Sequence, residues 1–114
     1  WDYRIRMKLL FFGPSGDIMP ALRDAGFDII ELHKIENISP SDALEISKID
    51  LLIITNVSDP TTILLCKELN PNITAIVYSS EDVSDLLRSQ IDFSLDPRLF
   101  SSTMLAEELY STFS

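Results

Sequence analysis

Few side chains in this sequence could do chemistry, and most of them stand where apolar runs end. Gly13-Pro14-Ser15-Gly16 follows the first such run, His33 the second, and Thr55-Asn56-Val57 the central one. Glycines directly after a strand suit a phosphate-bearing ligand, because backbone amides can approach it closely. His33 is the sole histidine, and the sequence places no Ser, Cys or Asp constellation beside it. It reads first as a loop residue, then as a ligand contact, and last as a catalytic base. Cys66 is the only cysteine, so a disulfide framework or a thiolate zinc site within one chain is excluded. Its place inside an apolar helical run reads as a small buried hydrophobe. No catalytic residue and no metal site emerge.

The elements that must position these residues alternate. Lys8 to Phe12 reads as a first strand, Asp17 to Ala25 as a helix stopped by Gly26, and Asp28 to Leu32 as a second strand. A brief strand fits Ile35 to Ile38, and Ser39-Pro40 opens a short helix to about Ser47. Asp50-Leu-Leu-Ile-Ile-Thr-Asn56 is the clearest strand, since an unbroken apolar run suits burial on both faces of a parallel sheet. A helix from Asp59 to Leu69, a turn at Asn70-Pro71-Asn72, a strand at 73–78 and a helix from Glu81 to Ser89 follow. A short strand at 92–95 and a last helix over 99–112 complete the series. The expected fold is α/β: a Rossmann-like doubly wound parallel sheet of five to six strands with helices on both faces. Its order is 3-2-1-4-5-6 if the brief third strand forms. Residues 1–6 read as a leader or linker and 7–114 as one domain, with Met7 a second candidate start.

In such a sheet ligands bind beyond the carboxyl ends of the strands, at the switch point. The candidate ligand set is therefore Gly13, Pro14, Ser15, Gly16, His33, Thr55, Asn56 and Val57. A dinucleotide turn needs three spaced glycines, and Phe11 falls where the first would stand. Asp17 puts negative charge beside the helix amino-terminus, competing with phosphate for the positive end. The ribose-binding acid is missing too, since its place falls at His33. A nucleotide remains the candidate cofactor, with NAD expected to bind weakly or not at all.

Composition narrows the partners. Eighteen acidic against nine basic residues give a net charge of −9, which lacks the basic footprint of a nucleic-acid binder. No apolar run approaches the ~20 residues that span a bilayer.

The carboxyl-terminal two-thirds resembles the TrkA-N/RCK domain, the regulator of potassium conductance in prokaryotic K⁺ channels and transporters. The matching words are Asp50-Leu-Leu-Ile-Ile-Thr-Asn56, Leu64-Leu-Cys-Lys-Glu-Leu-Asn-Pro71, Ile73-Thr-Ala-Ile-Val77, Asp85-Leu-Leu-Arg88 and Ile91-Asp-Phe-Ser-Leu-Asp-Pro97. Met104-Leu-Ala-Glu-Glu-Leu109 stands where the family has its crossover helix. The turn from Phe12 to Leu22 is similar to channel members whose glycine motif has decayed. The resemblance implies a ligand-sensing, non-enzymatic module at the cytoplasmic face of the membrane. Its partners would be itself, as a homodimer or larger gating ring, and a K⁺ channel or transporter. It also raises calcium at Glu81-Asp82, although these acids equally suit a helix's first turn. Leu105, Leu109 and Phe113 make a stripe that packs either on its own sheet or against a second copy.

Two other classes compete. A response-regulator receiver shares the βα alternation, but it requires an acidic cluster after strand one, an Asp ending strand three and a Lys before the late proline. Here those places hold Gly13-Pro14-Ser15, Thr55-Asn56 and Asp96. That leaves a pseudo-receiver without phosphoacceptor chemistry as the alternative. An enzyme is the third class, and only His33 speaks for it.

Overall fold

The structure, a computed structural model, describes residues 7–32 and 39–113. The leader at 1–6, His33 and the brief strand expected at 35–38 lie outside the described residues.

Five strands form: β1 (Lys8–Phe12), β2 (Asp28–Leu32), β3 (Leu51–Ile54), β4 (Thr74–Tyr78) and β5 (Phe93–Leu95). Five helices alternate with them: α1 (Ile18–Ala25), α2 (Pro40–Ile46), α3 (Pro60–Leu69), α4 (Asp85–Arg88) and α5 (Ser102–Phe113). All strand pairs are parallel, in the order β2-β1-β3-β4-β5. This is the expected doubly wound order without its optional third strand. The direction of winding reverses between β1 and β3, which is the switch point.

The sheet is covered on both sides, and side chains one apart serve different cores, as a two-residue repeat requires. Leu9, Phe11, Leu51, Ile53, Ile76 and Tyr78 face one way, against α1 and α5. Leu10, Phe12, Leu52, Ile54, Ala75 and Val77 face the other, against α2, α3 and α4. All four residues of β3 are fully buried. Each contributes about 1.5–3 kcal/mol by leaving water, which is what fixes the central strand.

The helix starts follow local chemistry. Ser39 and Asp59 each accept a hydrogen bond from a backbone N–H of the first turn (Asp42 and Thr61), and Pro40 and Pro60 take a position whose amide would go unpaired. Buried Asn70 ends α3 and ties it to the approach to β3, donating from Nδ2 to the Ile49 carbonyl at 2.6 Å. Cys66 is buried in α3 as expected, and burial pushes its thiol up to about 11.

Three expectations change. Helix α4 is one turn, not the run from Glu81 to Ser89: Glu81 donates its N–H to the Ser79 hydroxyl in a local turn, and the helix begins only after Ser84. Glu81 and Asp82 therefore do not occupy a first helical turn. The last helix starts at Ser102 rather than 99. Its stripe is taken up internally, since Leu105 and Leu109 are buried on the sheet beside α1 and Phe113 packs against them. Among the described residues no helix is long and apolar enough to cross a membrane.

Candidate functional site at the switch point

The carboxyl ends of β1 and β3 meet where a ligand was expected, and the residues there bond to each other. Gly13 has φ +121°, in the region that disfavours side chains, and a Cβ there would overlap the Asn56 amide and the Thr55 hydroxyl. That close approach lets Thr55 Oγ1 donate to the Pro14 carbonyl at 2.7 Å. The Thr55 and Asn56 amides both reach back to the Phe12 carbonyl, at 2.8 and 3.4 Å. The β1–α1 loop is thus fastened to the end of β3, and the crevice between the two strands is closed.

Asn56 is also committed. Its Oδ1 accepts from the Ser58 amide at 3.0 Å and the Ser58 hydroxyl at 2.6 Å, which sets the turn into α3. Val57 does not join the site, being buried in the core on the α2–α3 side. Phe11 is a strand residue facing α1 and α5, so it does not narrow the turn as its spacing suggested. The obstruction comes from Thr55 and Pro14 instead.

Shallow clefts remain on either side of this seal. One of about 560 Å³ opens toward the start of α5, lined by Pro14, Ser15, Gly16, Thr55, Tyr78 and Ser102 among others. The other, about 590 Å³, includes Gly13, Pro14, Leu32 and Asn56 on the side of β2. Pro14 is common to both. Of the expected set, Gly13, Pro14, Ser15, Gly16, Thr55 and Asn56 therefore come together, and His33 lies outside the described residues.

Residues after β4 and β5, outside the expected set, complete this end of the sheet. Tyr78 donates its hydroxyl hydrogen bond to the Phe100 carbonyl, pinning the segment that leads into α5. Asp96 is gripped by Arg98, with 2.7 Å from the guanidinium to Oδ2, and this pair holds its carboxyl below the usual carboxylate range. Asp96-Pro97-Arg98 was visible in sequence as a pair two residues apart. Among the described residues no three His, Cys, Asp or Glu side chains gather as a metal site would need.

This architecture, a five-stranded parallel sheet in 2-1-3-4-5 order with a switch point at β1 and β3, is the receiver-like form of the doubly wound fold. Solved response regulators share it. HP1043, an orphan response regulator of H. pylori, is 19% identical with a TM-score of 0.66 over 95% of this chain and 97% of that one. An atypical orphan response regulator, described with a phosphorylation-independent regulatory mechanism, is 19% identical with a TM-score of 0.63 over 95% and 98%. A Burkholderia pseudomallei response regulator, solved with a phosphorylated aspartic acid, calcium ion and citrate, is 14% identical with a TM-score of 0.59 over 93% and 72%. In sequence, residues 9–109 match the model of DUF7126, a family of unknown function, and the chain belongs to that family. No curated protein matches it.

These findings overturn the TrkA-N/RCK resemblance and the potassium-channel or transporter role that followed from it. The matching words were mostly apolar strand and helix segments, which any doubly wound sheet supplies. The fold expectation survives; the family and its gating function do not.

Proposed function

We propose that this chain is a receiver-like signalling domain that works through binding, without phosphoryl transfer and without chemistry of its own. The observation that carries this is the seal at the switch point. A phosphoacceptor receiver needs acids after β1, Asp at the end of β3 and Lys before the late proline. This chain sets Gly13-Pro14, Thr55-Asn56 and Asp96 in those places. Thr55 spends its hydroxyl on the Pro14 carbonyl. Asp96 brings a carboxylate, already held by Arg98, where a cation would be needed. Divalent cations of the magnesium and calcium type want several oxygen ligands with carboxylates among them, and the clefts beyond the two strand ends offer one each, Asp17 on one side of the seal and Asp59 on the other. The response regulator described as phosphorylation-independent offers a precedent of the same fold.

On this reading the domain acts in the cytoplasm, and the reason for placing it at a membrane falls away with the potassium resemblance. Nucleotides are not its ligands, because the sealed crevice leaves their phosphates only the shallow flanking clefts. Calorimetry with Mg²⁺, NADH and ATP tests this. The expected result is no measurable heat of binding for any of them. Micromolar binding of NADH or ATP would make the domain a nucleotide sensor instead.

A further inference from the structure

The five strands are not held in the sheet in the same way. Strands β1, β3 and β4 bury four side chains each. Strand β2, although on the rim, runs beside β1 for five residue pairs and packs Ile29, Ile30 and Leu32 against the two cores. Strand β5 has neither support. It faces β4 over three pairs, and its other side is open. Phe93 and Ser94 are exposed, and Leu95 alone packs against a core. No residue from 92 to 101 is buried. The chain is anchored again on either side, by buried Leu87 in α4 and buried Leu105 in α5. Segments with few buried apolar contacts are the ones that open first.

Polar bonds hold β5 instead, and they gather at its two ends. At the start, the Asp92 N–H donates to the Ala75 carbonyl of β4 at 2.9 Å, and Asp92 Oδ2 accepts from the Ala75 N–H at 2.8 Å. The same oxygen accepts from Lys67 Nζ of α3 at 3.0 Å, and that ammonium also donates to the Ile73 carbonyl at 2.7 Å. The Lys67 side chain is only 15% exposed, so water screens this pair less than an ordinary surface pair. One carboxylate thus ties β5 to both β4 and α3. Its loss would leave the Ala75 amide and a mostly buried ammonium short of a partner. At the far end Ser79 donates its N–H to the Leu95 carbonyl at 3.1 Å, and the Tyr78 hydroxyl holds Phe100. The Asp96–Arg98 pair lies within the segment and does not tie it to the body of the sheet.

We propose that residues 92–101 open and close as one unit while the rest of the sheet stays folded, with the Lys67–Asp92 clamp as the catch that sets how often they do. Opening takes only Leu95 from the cores, and for as long as it lasts it bares the backbone edge of β4. The device belongs to the fold itself and does not depend on what the switch point binds.

Amide hydrogen exchange on the whole chain, resolved by residue and expressed as protection factors at neutral pH, reads the opening directly. The Ser79 and Asp92 amides bond across the β4–β5 seam, whereas those of Thr55 and Thr74 bond to Phe12 and Asp50 in the body of the sheet. In the wild-type chain Ser79 and Asp92 should be at least about tenfold less protected than Thr55 and Thr74. Asp92→Asn removes the charge and keeps the size. It should lower protection at Ser79 on the order of tenfold further and leave Thr55 and Thr74 unchanged, as loss of a charge-assisted bond within one opening unit does. Lys67→Met should act in the same way, and Asp96→Asn, which breaks only the internal pair with Arg98, should change none of these amides. Equal protection at all of them in the wild-type chain would overturn the proposal, and that comparison needs no variant to fold. So would a loss in Asp92→Asn that reaches Thr55 and Thr74 by the same factor as Ser79, which would make the clamp part of global stability. An unchanged Ser79 in both clamp variants would overturn the assignment of the catch.

Discussion

The switch point between β1 and β3 and the edge at β5 treat their exposed groups in opposite ways. At the switch point, polar groups that could meet a ligand are turned on each other: Thr55 on Pro14, and Asn56 on Ser58. At the edge, apolar groups that could be buried are left in water, Leu99 and Met104 most of all. A doubly wound sheet ordinarily keeps its working groups in the crevice. Here the crevice is spent on stability, and the uncovered surface has moved to the rim. On the proposed reading, this contrast is what separates a module that binds partners from one that holds a small molecule.

If the seal is structural, breaking it costs stability, whereas stripping the edge does not. The largest effect is expected at Gly13. Gly13→Ala meets both the left-handed φ and the overlap with Thr55 and Asn56, and should lower unfolding stability by roughly 2–4 kcal/mol in a urea titration. Next comes Thr55→Val, which keeps the shape and removes the bond to Pro14. It should cost about 1 kcal/mol by the same measurement. No loss in either variant would mean that the crevice is held open or closed by something else.

A third prediction concerns acid. Burial alone would raise the Asp92 carboxyl, but the Ala75 N–H and the Lys67 ammonium outweigh it and hold the group below its usual range. A carboxyl depressed in the folded state adds stability above its unfolded pKa, which is lost as pH falls through the folded value. Stability should therefore fall as pH drops below about 4, and Asp92→Asn should show a shallower fall in thermal melts across that range. The smallest effect belongs to the edge. Phe93→Ser, Leu99→Ser and Met104→Ser should each move stability by no more than about 0.5 kcal/mol, as exposed positions do. A large loss at any of them would place it in the core and erase the contrast.

Much of the sheet was legible because burial on both faces leaves a plain mark. Leu51 to Ile54 and Ala75 to Val77 read as strands for the reason they are strands. Proline and side-chain caps at Ser39-Pro40 and Asp59-Pro60 likewise placed two helices within a residue. What sequence missed depends on tertiary partners. The short α4 follows from a turn at Ser79 that pattern alone does not show. The stripe at Leu105 and Leu109 is the same in sequence whether it meets its own sheet or a partner. Spacing from Gly16 put Phe11 in the turn, whereas pairing with Ile53 keeps it in the strand. The meeting of the β1 and β3 ends was legible but its closure was not, because Thr55 and Pro14 are 41 residues apart. Phe93, Leu99 and Met104 look like any core positions until the fold leaves them outside. Family resemblance failed for a related reason, since apolar words repeat across unrelated doubly wound sheets.

The central claim is that no phosphoryl chemistry occurs at the end of β3. Intact-mass measurement after incubation with acetyl phosphate and Mg²⁺, followed by peptide mapping of residues 51–60, tests it most directly. The account predicts an unchanged mass. Addition of one phosphoryl group at Thr55 or at any carboxylate on this end of the sheet would contradict it.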